Sequence, residues 1–182
     1  LGLPLTYLID VATFGVSLVA LGLMRAVPPP PGAQRPSLRG VVESFHYAIG
    51  RPELVGTYGV DMIAMFFGIP IALFPAFAEE FGGAGALGLL YAAPSVGALL
   101  ATATSGWTGR IHRHGVAVCW AAAGWGVAIT ALGFAPNLAL ALLALTLAGA
   151  ADMVSGIFRT TIWNTTIPDH LRGRLAGIEM LS

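Results

Sequence analysis

The sequence is poor in charge. Only 10% of its 182 residues are Asp, Glu, Lys or Arg, against roughly 25% in a soluble domain. A chain so short of polar surface is not an ordinary soluble enzyme, and at 56% hydrophobic residues it is not a disordered one. Lysine is missing altogether: all 9 basic residues are Arg, balanced by 9 acids to a net charge of zero. Without a basic excess, a nucleic-acid binder is excluded. One cysteine, Cys119, leaves no intramolecular disulfide and no Cys-based zinc site. Conversely, 12 Pro and 24 Gly rule out a simple coiled coil. What is plentiful is apolar sequence, with a mean hydropathy of +0.79. The class that remains is an integral membrane protein.

A bilayer core about 30 Å thick is crossed by about 20 mostly apolar helical residues. Five stretches meet that length, at about 3–24, 54–78, 86–108, 116–134 and 138–163. A sixth helix begins near Leu175 and is cut at Ser182. The first residues are apolar, with no Met, charged leader or cleavage motif, so the chain reads as a fragment cut at both ends rather than one with a signal peptide. The connections fix the orientation. Arg25, Arg35, Arg39 and Arg51 follow the first span, Arg110 and Arg113 the third, and Arg172 and Arg174 the fifth; the alternate connections carry Glu79 and Glu80 or Pro136-Asn137, and no basic residue. Basic loops stay in the cytoplasm, so the chain is expected to enter from outside and alternate from there.

The connection at 25–53 has structure of its own. Pro28 to Pro31 form a stiff extended spacer. Ser37 can then cap a short helix running to Gly50, and Leu38, Val41, Val42, Phe45, Ala48 and Ile49 fall on one face of it. Such a helix either lies on the inner membrane surface or packs on its own bundle. Within the spans, Ala93, Gly97, Ala101, Ser105 and Gly109 recur every fourth residue, a stripe of small side chains along which another helix can approach. Pro70, Pro75 and Pro94 are expected to kink their helices, either as static bends or as hinges of a conformational cycle.

Ionisable groups inside spans are the strongest functional pointers. Each costs about 2.5–3.5 kcal/mol at the membrane centre, so it faces a cavity or a partner. Asp152 and Arg159 share one face of the fifth span with Ser155 and Gly156, about 10.5 Å apart along the axis. Helical side chains lean toward the helix N-terminus, which tilts Arg159 toward Asp152. The two either form a structural pair or interhelical clamp, or they line an aqueous path and meet substrate. Asp61, about two turns into the second span, and Asp10, about two turns into the first, are candidate proton carriers or carboxyls hydrogen-bonded to neighbouring helices. The tryptophans at 107, 120, 125 and 163 read as interfacial anchors or packing residues.

Other motifs are weaker. Gly83 to Gly88 fits the glycine spacing of a dinucleotide loop, but it follows no strand and no acid lies about 20 residues on. Asn164-Thr165-Thr166 matches a glycosylation sequon at the inner membrane edge, where it is discounted. His112 and His114 lack further ligands, so no metal site is expected. No catalytic set and no cofactor are expected either.

The run from Asp152 to Arg159, followed by Ile167-Pro168-Asp169-His170-Leu171-Arg172-Gly173-Arg174, resembles the tenth helix and following loop of major facilitator transporters. The closest likeness is to the branch with the enterobactin exporter and related drug-efflux proteins. Leu73-Phe74-Pro75, the run from Gly88 to Ala93, and the Arg-bearing loop from Gly106 to Arg113 support it. Arg110 stands where the family's loop signature carries an Asp.

The resemblance implies an all-α polytopic bundle, the C-terminal half of such a transporter. Residues 1–24 would be the last helix of the N-terminal bundle, 25–53 the central cytoplasmic loop, and 54–182 the truncated C-terminal bundle. It implies secondary active efflux of a small organic molecule, a drug or siderophore, driven by protons through alternating access in the cell membrane. The partners are then substrate, protons, lipid and the missing N-terminal bundle. Asp10, Asp61, Asp152, Ser155 and Arg159 are the pathway candidates; Gly106, Arg110, Arg113, Arg172, Gly173 and Arg174 are the cytoplasmic gating candidates. The rival expectation is a non-transporting receptor or scaffold of the same fold. A polar cavity beside Asp152 and Arg159 would favour transport; a closed ion pair without one would favour the scaffold.

Overall fold

The computed structural model describes residues 3–25, 38–68 and 70–168. The chain divides into two compact units, residues 1–33 and 34–182. The first contains one helix, α1 (Leu3–Leu23), whose side chains from Pro4 onward are exposed. At about 1.5 Å per residue its 21 residues reach across a bilayer core.

The second unit carries α2 (Leu38–Ile49), α3 (Pro52–Gly68), α4 (Phe74–Phe81), α5 (Ala84–Ala103), α6 (His114–Gly133) and α7 (Leu138–Thr166). With α3 and α4 taken as one crossing, five candidate spans are present among the described residues, as the apolar runs predict. Their surfaces are inverted relative to a soluble protein. Phe66, Leu99, Trp120 and Val127 stand exposed, a surface that suits hydrocarbon and not water. The chain is an all-α, multi-pass membrane protein.

Two expectations change. The span at 54–78 is discontinuous: α3 ends at Gly68, a 3-10 turn covers Pro70–Leu73, and α4 restarts with Pro75 in its first turn. Proline lacks the N–H that a continuous helix needs but suits a helix start, so two prolines five residues apart break the span rather than bend it. The small-residue stripe is also shorter than expected. Helix α5 stops at Ala103 and a 3-10 turn takes over from Ser105 to Arg110. Gly106 and Gly109 favour helix poorly, and the Thr104 hydroxyl donates back to the Leu100 carbonyl at 2.8 Å. Ala93, Gly97 and Ala101 are buried, whereas Gly109 is exposed.

Along the retained part of the stripe, α5 and α7 cross backbone to backbone. A Cβ on Gly97 would collide with the Thr146 carbonyl, and one on Gly149 with the Pro94 carbonyl. At the other ends of these helices, Gly82 and Gly83 adopt φ of 127° and 75°, which lets the turn from α4 into α5 close in two residues. The Gly83 to Gly88 run therefore opens a helix. Asn137 caps α7, its Oδ1 accepting from the Leu140 N–H at 3.0 Å.

Two apolar clusters hold the second unit. One joins Phe74, Ala78, Leu90, Leu132 and Leu145 near the start of α7. The other joins Ala48, Leu54, Trp163 and Ile167 near its end. The second cluster ties α2 to the bundle: Ala48 is buried in it and the Tyr47 hydroxyl donates to the Thr166 carbonyl at 2.9 Å. Val42, Phe45 and Ile49 remain exposed, so α2 packs on its own bundle with one part of its apolar face and leaves the rest uncovered. Ser37, the sixth helix and the loop at 169–174 lie outside the described residues.

Candidate functional site

Between the two apolar clusters, α7 presents its polar face. Asp152 is the middle residue of this 29-residue helix. Ser155, Gly156 and Arg159 follow on the same side, as their spacing predicts. Arg159 does lean back along the helix, but its closest partner is on another element: its Nη1 pairs with Asp61 Oδ1 of α3. The contact with Asp152 is longer, 3.9 Å from Nη2 to Oδ1. The interhelical clamp thus joins α3 to α7, and Asp152 stands at its edge. Asp61 and Arg159 are largely shielded, with side chains 13% and 21% exposed, while the Asp152 side chain is 65% exposed. Arg159 Nε is buried and has no hydrogen-bond partner among the described residues.

The group opens on a cavity of about 250 Å³. Thr57, Tyr58, Asp61 and Met65 wall it from α3, and Asp152, Gly156, Arg159, Thr160 and Trp163 from α7. A second cavity of about 110 Å³ lies on the other flank of Asp61 and Asp152, lined also by Ser155 and by Trp125 of α6. At its Arg159 end the larger cavity has an ordered wall. Trp163 Nε1 donates to Thr57 Oγ1 at 3.3 Å, and that hydroxyl donates to the Leu54 carbonyl at 2.8 Å. Tyr58 meets the Trp163 ring edge-on, with centroids 4.9 Å apart.

Of the pathway candidates, Asp61, Asp152, Ser155 and Arg159 come together here. Asp10 belongs to the α1 unit, where it is exposed and its carbonyl accepts from the Thr13 hydroxyl at 2.8 Å. Among the gating candidates, Gly106 and Arg110 sit in the 3-10 turn after α5 and Arg113 precedes α6, all exposed. Arg172, Gly173 and Arg174 lie outside the described residues. The sequence reading missed Thr57, Tyr58, Thr160 and Trp163. A signal existed: Thr57 lies four residues before Asp61, and Trp163 four after Arg159, each on the ion's own helix face. Among the described residues no cluster of His, Cys, Asp and Glu could hold a metal.

No family model and no solved structure matches the chain. Several curated proteins do. The enterobactin exporter EntS of Escherichia coli O1:K1 is 28% identical over 178 residues, which is 97% of this chain and 43% of that protein. The protein of the same name from Escherichia coli O45:K1 aligns to the same extent, and that of Citrobacter koseri is 27% identical over the same length. The chain therefore spans less than half the length of the curated relatives it matches. These relatives are named as exporters, not as enzymes. With helical spans and an alignment over nearly its whole length, the chain is similar in sequence to proteins named as enterobactin exporters.

Proposed function

We propose that the protein containing this chain is a secondary active exporter of a small organic molecule, driven by protons and working by alternating access in the cell membrane. The observation that carries the proposal is the Asp61–Arg159–Asp152 group, which faces a cavity at mid-helix rather than closing on itself. Ionisable groups at that depth mark substrate or proton paths, and transporters of this construction bind near the midplane between bundles that rock against each other. On this reading α1 is the last helix of the N-terminal bundle, residues 25–53 are the central cytoplasmic loop, and the spans from α3 onward belong to the C-terminal bundle. The arginine-bearing ends face the cytoplasm. Arg172 and Arg174, with Arg110 and Arg113, act in the inner gate by pairing with acids or helix ends when the inside is closed, and Gly106 and Gly173 belong to the same loops.

The test is a panel of toxic compounds and siderophores applied to cells lacking the full-length protein. Loss should raise accumulation of at least one compound, restored by the parent gene and abolished by a proton uncoupler. Unchanged accumulation across the panel would favour a scaffold. In the same assay, replacing both Arg172 and Arg174 with Ala should lower efflux while the protein stays in the membrane; full efflux would remove them from the gate.

A further inference from the structure

We propose that the uncovered face of α2 binds the inner membrane surface, and that its preferred ligand there is an anionic phospholipid. The inference goes beyond the transport reading and does not depend on it. At about 100° per residue, the side chains of α2 fall into three sectors. Val42, Phe45 and Ile49 lie within about 60° of one another, and each is at least half exposed. Ala48 lies about 80° to one side of them and His46 about 80° to the other. Ala48 is buried against the bundle, and Tyr47, opposite the apolar sector, donates to the Thr166 carbonyl. His46 is exposed. One flank of the helix thus faces the bundle, the other is polar, and the sector between them is apolar and uncovered.

The depth of the helix says what covers that sector. Ala48 packs with Leu54, in the first turn of α3, and with Trp163 and Ile167, at the end of α7. Tyr47 and Tyr58 pack against the same cluster. Aromatic side chains gather in this way at the membrane–water boundary, so α2 sits level with the ends of the spans and not out in solution. At that level an amphipathic helix sinks its apolar face among acyl chains and turns its polar face to water. Charge then selects the lipid. The connection at 25–53 carries Arg25, Arg35, Arg39 and Arg51 against Glu43 and Glu53, an excess of two positive charges. The Arg51 guanidinium is held at the corner between α2 and α3, 4.8 Å from the centre of the Tyr47 ring. Basic segments beside a membrane are drawn to anionic head groups, which favours a lipid such as phosphatidylglycerol over a zwitterionic one. Because Tyr47 ties α2 to the last turn of α7, lipid bound by α2 steadies the inner ends of α3 and α7.

The test uses the full-length protein in nanodiscs of phosphatidylcholine, alone or mixed with an equal part of phosphatidylglycerol. In a cysteine-free background, Val42→Cys, Ile49→Cys and His46→Cys each carry a nitroxide label. In the mixed lipid, the labels on Val42→Cys and Ile49→Cys should meet oxygen, which partitions into hydrocarbon, more than a water-soluble nickel chelate. The label on His46→Cys should show the reverse. Labels on the apolar sector that meet the nickel chelate put that face in water, and labels shielded from both reagents put it against protein; either result overturns the proposal. The anionic lipid is also expected to raise the melting temperature by about 2 °C or more over phosphatidylcholine alone. Val42→Ser with Phe45→Ser, both at exposed positions, should remove most of that gain, because the apolar sector brings the arginines to the head groups. No gain from phosphatidylglycerol overturns the lipid preference, and an undiminished gain in the double variant overturns the role of the face. None of these results bears on the transport reading, which rests on the mid-span group.

Discussion

Arg159 and Asp61 illustrate how one charge in a membrane chain is made tolerable. Neither is fully solvated, and each neutralises the other across two helices. Breaking such a shielded pair leaves an uncompensated charge, which costs about 3–5 kcal/mol, while replacing both partners with apolar groups is often neutral. Asp61→Ala is therefore expected to lower thermal stability of the purified protein in detergent by that order, and Asp61→Ala with Arg159→Met to recover most of it. A double variant no more stable than the single one would show that the pair does not act as a clamp. The spacing of Asp152, Ser155 and Arg159 was legible in sequence because it is internal to one helix. The partnership with Asp61 was not. Asp61 lies about 13.5 Å into α3 and Arg159 about 10.5 Å before the end of the antiparallel α7, so depth alone allowed the contact. Which helices are neighbours is a tertiary fact.

At the scale of elements, the crossing of α5 and α7 is held by shape. Hydrocarbon outside the bundle is as apolar as the side chains within it, so close contact between backbones replaces the hydrophobic effect as the source of association. Gly97 and Gly149 each leave room for a carbonyl of the other helix. Either Gly97→Ala or Gly149→Ala must push the helices apart, at a cost of about 1–3 kcal/mol, whereas Gly124→Ala, where the nearest atom would be a methyl at 4.0 Å, should be nearly silent. Melting temperatures of the three variants in one detergent check this ordering. The small-residue period announced this contact in the sequence, but its extent was misjudged. A four-residue repeat continues through Ser105 and Gly109 whether or not the backbone remains α-helical, and here the helix stops at Ala103. In the same way, Pro70 and Pro75 announced a disturbance without telling a kink from a break.

For the whole molecule, the distribution of arginines sets one expectation that every functional statement depends on. In a Cys119→Ser background, a cysteine placed at Glu80 should react with a membrane-impermeant maleimide added to intact cells, and one placed at Arg110 only after permeabilisation. The reverse pattern would invert the chain and move the proposed inner gate to the outside. Cys119, exposed on α6, is the single cysteine of this chain, and any cysteine elsewhere in the full-length protein is replaced in the same background.

Length, hydropathy and charge placement determined by themselves that this is a multi-span membrane chain, because the requirement that a helix cross hydrocarbon acts locally on each stretch of about 20 residues. Helix-face relations such as Asp152 with Arg159 were equally local. Only the tertiary structure decided that Arg159 belongs first to Asp61, that Thr57 and Trp163 build the wall beside it, and that Asp152 stands at the edge of that pair. Those outcomes depend on how close α3 and α7 approach and at what rotation, and packing between helices sets both.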